Sequence, residues 1–378
     1  MIQQEIYMKR IADMNYEQFL HQGYATAGHN GPHGHIDTPV RNTSHYLIIY
    51  SYLFKITKEN KYMEICKVFA EYLFKEQSKS KSGAIQCMKT DRFDHLNGLI
   101  GQGWVIEALL YYYEISKDLR CIDVSKKIFF AQKYDWNKHL WFRTELDGSN
   151  IGIDPTYNHQ SWFAACSYKL NDYCTDNKID DIIVDFLKYG SERDVRIYSD
   201  GMLKHTINIT TPITKKIRER TIIKYLLTPI RWLNKRKLDP KYMEYAYHIF
   251  DLYGLCILKE RYHYLPIFAS EKFKKAVSFA MDIDTINKKC DVNKAIKKGI
   301  PFNVYSYSYN CPTFELPYVA ISNGKDNAMI IEQIFSTLKL LMWDEQTKQF
   351  TKFQPDIETW NARTYEIIRY LELKQKDN

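Results

Sequence analysis

Apolar positions along this chain fall into paired helical blocks. Between Pro39 and Lys75 the spacing predicts a helix from about Asn42 to Phe54. A turn over Thr57, Lys58, Glu59 and Asn60 follows, then a second helix from Tyr62 with Ile65, Phe69, Tyr72 and Leu73 at helical spacing. The layout repeats as a nearly all-apolar helix from Gly98 to Ile115, a turn at Ser116, Lys117 and Asp118, and a helix from Cys121 to Phe130. Further pairs start near Tyr157 (Trp162, Phe163 and Tyr168, then Ile179 to Tyr189), near Tyr242 (Tyr245 to Leu258, then Leu265 to Phe279) and near Thr313 (Phe314 to Ile321, then Ala328 to Met342). A sixth inner helix is expected from Glu358 to Leu373, and a helix around Ile6 to Phe19 supplies its outer partner. In each pair the first helix is apolar nearly all round, as burial between ring centre and outer layer requires, while the second keeps one charged face for solvent. The expected fold class is therefore all-α: an (α/α)6 toroid of six helical hairpins, in a single domain over residues 1–378. The rival is an open superhelical array of helix pairs, but solenoid repeats keep a tighter period than these unequal, long-looped units.

Composition leaves this picture intact and adds a cleft. With 45% apolar residues the chain can build a large core, and 30 Tyr, 19 Phe and 7 Trp suit a lined cleft as well as a core. No Pro/Gly/Ser-rich or low-complexity stretch separates domains. The eight cysteines are scattered, never in C-x-x-C spacing, which predicts reduced thiols and a cytoplasmic location. Residues 1–20 lack the apolar core of a secretion signal, and no window of about 18 apolar residues occurs, so a membrane span is not expected.

Charge is concentrated in one place. The net charge of +8 equals that of the segment from Lys215 to Lys237, where nine bases accompany the single acid Glu219. Nucleic-acid binding is not expected, because the bases are not spread over a surface and no recognisable module is present. An insertion is expected at 203–240. Within it, Ile223, Leu226, Leu227, Ile230 and Leu233 form an apolar stripe among the bases, with Trp232 suited to a membrane interface and Pro229 set to kink the helix. Such a segment fits an anionic membrane surface, which would make the protein peripheral at the inner face of the membrane and bring it to a lipid-linked glycan. A solvated lid or an oligomer contact is the competing role.

In a toroid the loops that lead into the inner helices converge on one mouth. Here they include the run from His29 to His45, the run from Asp91 through Asp94 and His95 to Trp104, that from Asp154 to Trp162, that from Tyr305 to Glu315, and that from Asp356 to Arg363. The run Asn97-Gly98-Leu99-Ile100-Gly101-Gln102-Gly103-Trp104, followed by a helix and a Lys-Asp turn, resembles the inner-helix signature of the six-hairpin glycosidase superfamily. That group includes unsaturated glucuronyl hydrolases, acylglucosamine epimerases and the helical domains of uronate lyases and C5-epimerases. The stretch from Asp37 to Thr43 also resembles toroid proteins of surface-polysaccharide and archaeal glycosylation loci. The resemblance covers most of the chain as architecture and implies carbohydrate-active chemistry without fixing the reaction.

The candidate chemistry follows from the mouth loops. Asp37, Asp94, Asp154, Glu315 and Glu358 all lie there, and a glycosidase needs two carboxylates across the scissile bond, one protonated and one ionised. Capping of helix starts is the competing role for each. His159, between Asn158 and Gln160 at a helix start, is the candidate general acid/base, since an imidazole titrates at about 6.5. In the epimerases and lyases that the chain resembles, His or Tyr moves the proton, which makes Tyr307 or Tyr309 the opposite-face partner. The catalytic set is thus His159, Asp37, Asp154, Tyr309, Glu315 and Glu358. His29, His33, His35 and Asp37 offer metal-type ligands, but Gly31, Pro32 and Gly34 break any helical scaffold, so neither a metal nor a cofactor is expected.

Trp104, Trp162, Tyr157, Tyr305 and Trp360 can stack on pyranose faces, with core packing as the alternative. Asn97, Gln102, Gln160 and Asn361 offer paired donors and acceptors for hydroxyls, and His45, His95, Tyr307 and Asn310 complete the substrate-binding set. Arg41 and Arg363 at inner-helix starts suggest a carboxylate-bearing sugar, unless they pair with Asp37 or Glu358. Together these residues point to an enzyme cleaving a glycosidic bond, as hydrolase or lyase, in a uronate-containing oligosaccharide or polysaccharide during surface-polysaccharide assembly or trimming. The alternatives are a uronate or amino-sugar epimerase using His/Tyr pairs and a non-catalytic helical scaffold that binds glycan or protein.

Overall fold

The computed structural model describes residues 2–89, 94–174, 177–191, 197–207, 241–299, 303–353 and 355–376. The basic stripe of 213–238 and the insertion from 208 onward lie outside the described residues. In chain order the principal helices are α1 (Gln3–Gln22), α2 (Val40–Thr57), α3 (Asn60–Ser78), α4 (Gly98–Ser116), α5 (Arg120–Ala131), α6 (Tyr157–Ser167) and α7 (Lys178–Asp185). They continue as α8 (Tyr242–Tyr262), α9 (Glu271–Met281), α10 (Pro312–Ile321), α11 (Ala328–Met342), α12 (Ile357–Ala362) and α13 (Ile368–Lys376).

The even-numbered helices α2 to α10 form the inner layer. Each packs on the next, α10 packs on the 3-10 turn Arg363–Ile367, and that turn packs back on α2, which closes the ring. Burial follows the expected division. Every residue of α2 from Val40 to Leu53 and of α4 from Gly98 to Tyr112 is buried, whereas α5 buries one stripe made of Cys121, Ile122, Val124, Ser125, Ile128 and Phe129. Close approach of α6 and α8 depends on Gly254, where a Cβ would sit 3.0 Å from the Trp162 backbone nitrogen. The chain has the six-hairpin (α/α)6 toroid architecture.

Several elements differ from the sequence expectation. The sixth inner helix is broken, because Arg363–Ile367 adopts a 3-10 turn between α12 and α13. The stretch from Leu265 to Phe279 is not continuous either: Ser270 stops a single turn at Pro266–Ala269 and caps α9 by accepting from Phe273 N–H. Two short helices, Ile283–Lys289 and Val292–Lys298, add to the α9 hairpin. The all-α class holds, and two short sheets are added in the connections. An antiparallel sheet of β1 (Tyr134–Asp135), β2 (Leu140–Thr144) and β3 (Asn150–Ile153) joins α5 to α6, and β4 (Trp343–Asp344) pairs with β5 (Gln349–Phe350) before α12. Both sheets lie in connections from an outer to an inner helix, so both sit on the face where the inner helices begin.

One device recurs at those connections. Gln102 of α4 donates to Ile85 C=O at 2.8 Å and accepts from Ile85 N–H at 2.9 Å. Gln160 of α6 does the same with Trp141, at 2.9 Å for both bonds, and Asn361 of α12 with Phe350, at 3.1 and 3.0 Å. Each side-chain amide thus replaces a strand partner and pins the approaching loop to its inner helix. These three residues, expected to contact sugar hydroxyls, have their amides committed to backbone.

Candidate active site at the ring mouth

A cavity of about 210 Å³ opens at the starts of α4, α6 and α8. Asp94, Arg143 and His159 line it together with His33, His205 and Tyr247, and Trp104 and Phe250 reach it from further along their helices. Of the residues singled out from sequence, His159, Asp94, Asn97, Trp104, Tyr309, His33 and His35 line this cavity.

Asp154 stands behind His159 and is completely buried. Its Oδ2 lies 2.8 Å from His159 Nδ1 and accepts from Leu99 N–H at 3.3 Å, while Oδ1 accepts from Thr156 N–H at 3.0 Å. Burial works to raise the Asp154 pKa, but His159, Arg143 and the Thr156 amide outweigh it and hold this carboxyl well below the ordinary range. An ionised carboxylate only accepts, so it fixes the proton of a neutral His159 on Nδ1 and leaves Nε2 for the cavity.

Asp94 approaches the same helix start from the other side. Its Oδ1 accepts from Leu96 N–H at 2.9 Å and Gly98 N–H at 2.8 Å, and its Oδ2 lies 3.5 Å from Arg143 Nε. Burial raises the Asp94 pKa above its ordinary value against the opposing pull of Arg143. Two carboxylates with opposite proton affinities therefore meet at the N-terminus of α4, where free amides and the helix dipole favour negative charge. Gly98 makes this possible. Its φ is +59°, and a Cβ there would lie 2.4 Å from His159 Nδ1 and 2.5 Å from Asp154 Oδ2.

A second imidazole is held in the same manner. His205 Nδ1 lies 2.9 and 3.2 Å from the two oxygens of buried Asp251, and its ring sits 4.2 Å from that of Tyr247. Burial raises the Asp251 pKa, opposed by His205. His33 Nε2 lies 2.8 Å from Tyr247 Oη, and burial, with His35 and His205 adding, pushes His33 down to about 4, so it is neutral at physiological pH.

The remaining expected residues are placed elsewhere. Asp37 is buried beside Arg41 at 3.5 Å, and Arg41 also donates to Asn30 Oδ1 at 2.7 Å and lies 4.5 Å from the Trp104 ring. Arg363 is enclosed by Glu315 at 2.6 Å and Glu366 at 2.9 Å. Both guanidinium groups are therefore neutralised internally, and Glu315 is committed to an ion pair. Glu358 is half-buried at the start of α12, away from the cavity lining. His45 packs between Tyr365 and Trp104, at 4.5 and 4.9 Å, and Trp162 between Phe250 and Tyr253, at 4.3 and 4.9 Å. Trp360 is buried against Phe314 and Phe350 and donates to Tyr307 C=O. Tyr157 bonds Ser191, Tyr307 bonds Asn287, and Asn310 donates to Ala246 C=O and Tyr305 C=O. His95 lies 3.0 Å from Glu145, and the Tyr309 hydroxyl donates to Asn30 Oδ1 at 2.5 Å. His29 turns away from His33 and His35 to Pro355 C=O, and among the described residues no three His, Cys, Asp or Glu side chains are grouped to share a metal ion.

Arg143, His205 and Tyr247 line the cavity and escaped the sequence reading, whereas Asp94 was among its five candidate carboxylates. Arg143 sits in the short run Leu140-Trp141-Phe142-Arg143-Thr144, whose aromatic and β-branched residues hint at a strand without an alternation to establish it. Asp251 carried the clearer hint for His205, since a charge in the middle of an apolar inner helix demands a buried partner.

No family model matches the chain. It is 27% identical over 363 residues to archaeal glycosylation protein Q of Haloferax volcanii, spanning 92% of each chain. Among solved structures it matches unsaturated glucuronyl hydrolase from a Bacillus species with a TM-score of 0.62 at 11% identity, over 100% of this chain and 97% of that one. D-mannose isomerase gives 0.63 at 11% identity, over 99% and 97%. Cellobiose 2-epimerase from Bacillus thermoamylovorans gives 0.60 at 12% identity, over 95% and 98%. These likenesses establish the six-hairpin glycosidase-like fold, one that hosts several sugar chemistries.

Proposed function

We propose that this chain is a glycan-processing hydrolase that adds water across a bond of a sugar residue held in the mouth cavity. Asp94, whose proton affinity burial raises, is the acid in this reading and donates a proton to the departing oxygen. His159 Nε2 takes a proton from the attacking water, and the ionised Asp154 steadies the imidazolium that results. Proton return from His159 and reprotonation of Asp94 by solvent restore the site. The observation that carries this assignment is the meeting of Asp94 and the His159–Asp154 pair at the start of α4 with opposite proton affinities.

A glycan substrate is supported by the toroid architecture and by similarity to a protein named for archaeal glycosylation. Arg143 lines the cavity 3.5 Å from Asp94 and 3.9 Å from Asp154, so a sugar carboxylate would share a guanidinium that these two already face, while Arg41 and Arg363 are paired inside the ring. A second reaction, epimerisation by proton removal and return at a sugar carbon, is favoured by one observation: His205, backed by Asp251, supplies a second oriented imidazole to the same cavity.

Turnover of neutral and uronate-containing oligosaccharides in ¹⁸O-labelled water and in deuterium oxide separates these chemistries. Hydrolysis places ¹⁸O in a shortened product, is abolished in Asp94→Asn and His159→Gln, and survives in His205→Gln. Deuterium at a sugar carbon of an uncleaved product, lost in His205→Gln, would instead establish epimerisation. Binding without either label entering product would leave a non-catalytic scaffold.

A further inference from the structure

The β1–β2 hairpin presents a feature that the cavity chemistry does not use. Trp136 at its tip is 54% exposed, and Tyr189, from the π-helical turn Phe186–Ser191 after α7, is 53% exposed. The two rings belong to one cluster. Tyr134 packs edge-on to Trp136 at 5.1 Å, its hydroxyl donates to Asp185 Oδ2 at 2.7 Å, the same oxygen lies 2.9 Å from His139 Nδ1, and the His139 ring sits 4.9 Å from Tyr189.

The cluster is rigidly held. Asp135 Oδ1 accepts from the Asn137 and Lys138 amides and fixes the turn that carries Trp136. Gly190 seats the end of the α7 segment directly on the hairpin, since a Cβ there would lie 2.0 Å from His139 C=O. Solvent-facing Trp and Tyr rings carried on a hydrogen-bonded turn and flanking polar groups suit a ligand with an apolar face and a hydroxylated edge. Their position selects the ligand. The hairpin and the π-helical turn both lie in outer-to-inner connections, hence on the mouth face, and β2 starts at Leu140, next to His139 of the cluster, and reaches Arg143 at the cavity. From Leu140 to Arg143 that is three steps of extended chain, about 10 Å at roughly 3.3 Å per residue.

We propose that Trp136 and Tyr189 form a distal sugar-binding platform that holds the part of the glycan extending out of the mouth cavity. The platform rests on the assignment of the cavity to a glycan. Its chemistry is ring stacking on pyranose faces, with Asp185 and His139 facing hydroxyls, and it makes the protein prefer long chains to short ones. The occupant is thus a continuation of the substrate rather than a second copy of the chain.

Binding of two length series, cello-oligosaccharides and hyaluronan oligosaccharides from disaccharide to hexasaccharide, tests this in the intact protein and in Trp136→Ala and Tyr189→Ala. Both substitutions remove exposed rings, and circular dichroism checks that the fold survives. The expected result is tighter binding of the longer chains to the intact protein, with each substitution weakening it by about five- to tenfold while disaccharide binding is unchanged. A length preference that persists in both variants would overturn the platform and leave the cavity assignment standing. Absence of binding at every length would overturn both. A dimer that dissociates in Trp136→Ala would assign the rings to self-association and overturn the proposal as well.

Discussion

At the scale of single residues the candidate site turns on the absence of a side chain. Gly98 opens α4 with φ +59°, and its missing Cβ leaves the space in which His159 Nδ1 and Asp154 Oδ2 meet. Alanine at this position would place a methyl 2.4 Å from the imidazole nitrogen and force a left-handed backbone on a residue that resists it. Gly98→Ala is therefore expected to displace His159, to lower activity by on the order of 100-fold or more, and to cost about 1–3 kcal/mol of stability. Thermal melting and turnover of the same preparation check both. Unaltered turnover would show that His159 does not act from this position. The contrast between Asp94 and Asp154 also lives at this scale. Both are carboxylates bonded to amides at the same helix start, yet only Asp154 has an imidazole against it, and its proton affinity falls while that of Asp94 rises.

At the scale of elements, the helical pairs were legible because a buried inner helix writes a nearly all-apolar run, as from Leu99 to Tyr112 with Gln102 and Glu107 as its charged or amide positions, and an outer helix a single stripe, as in α5. The strands were not, since β2 spans five residues and β4 and β5 two each, too few to establish an alternation. The break at Arg363–Ile367 was hidden for another reason: Arg363 and Glu366 are helix-compatible in sequence, and only the packing of the ring draws both into one buried ion cluster. His159 could be picked out from its place at a helix start, whereas His205 could not, because its partner Asp251 lies 46 residues away. The amides Gln102, Gln160 and Asn361 show the limit most clearly. Their backbone partners are 17, 19 and 11 residues distant, so a polar side chain near the mouth was indistinguishable from a sugar ligand. Replacing any of them by Leu leaves a buried N–H and C=O unpaired, and each substitution is expected to cost about 1–3 kcal/mol. Urea unfolding measures that loss, and oligosaccharide affinity of the folded variants should stay unchanged. A variant of full stability and reduced affinity would return that amide to the substrate.

At the scale of the whole molecule, charge is distributed in two unlike ways, buried pairs within the ring and one basic stretch outside the described residues. Burial pushes Asp37 up to about 6, with Arg41 opposing and Asp356 adding to the rise. An acid whose folded pKa exceeds the unfolded value of about 3.9 makes the native state hold more protons between those limits, so its contribution to stability falls as pH rises from about 4 to 6 and is flat above. The depressed Asp154 works in the opposite sense, adding stability above the ordinary carboxyl value that is lost as pH falls below it. Unfolding free energies between about pH 4.5 and 6.5 should therefore slope downward by roughly 2 kcal/mol on account of Asp37, and Asp37→Asn should flatten that slope. The basic stretch makes a different demand. Nine bases between Lys215 and Lys237, interleaved with Ile223, Leu226, Leu227, Ile230 and Leu233, account for the net charge of the chain. Among the described residues no helix is long and apolar enough to cross a membrane. At about 1 kcal/mol per base near an anionic leaflet, such a segment can hold the protein to phosphatidylserine vesicles without insertion, and the hold should weaken as salt shortens the screening length. The intact protein is expected to sediment with these vesicles at low salt and a protein lacking residues 213–238 to stay in solution, with its turnover of soluble oligosaccharides unaltered. Sedimentation of the shortened protein would move the contact to the ring itself, and an intact protein that never sediments would remove lipid-linked glycans from the proposed substrates.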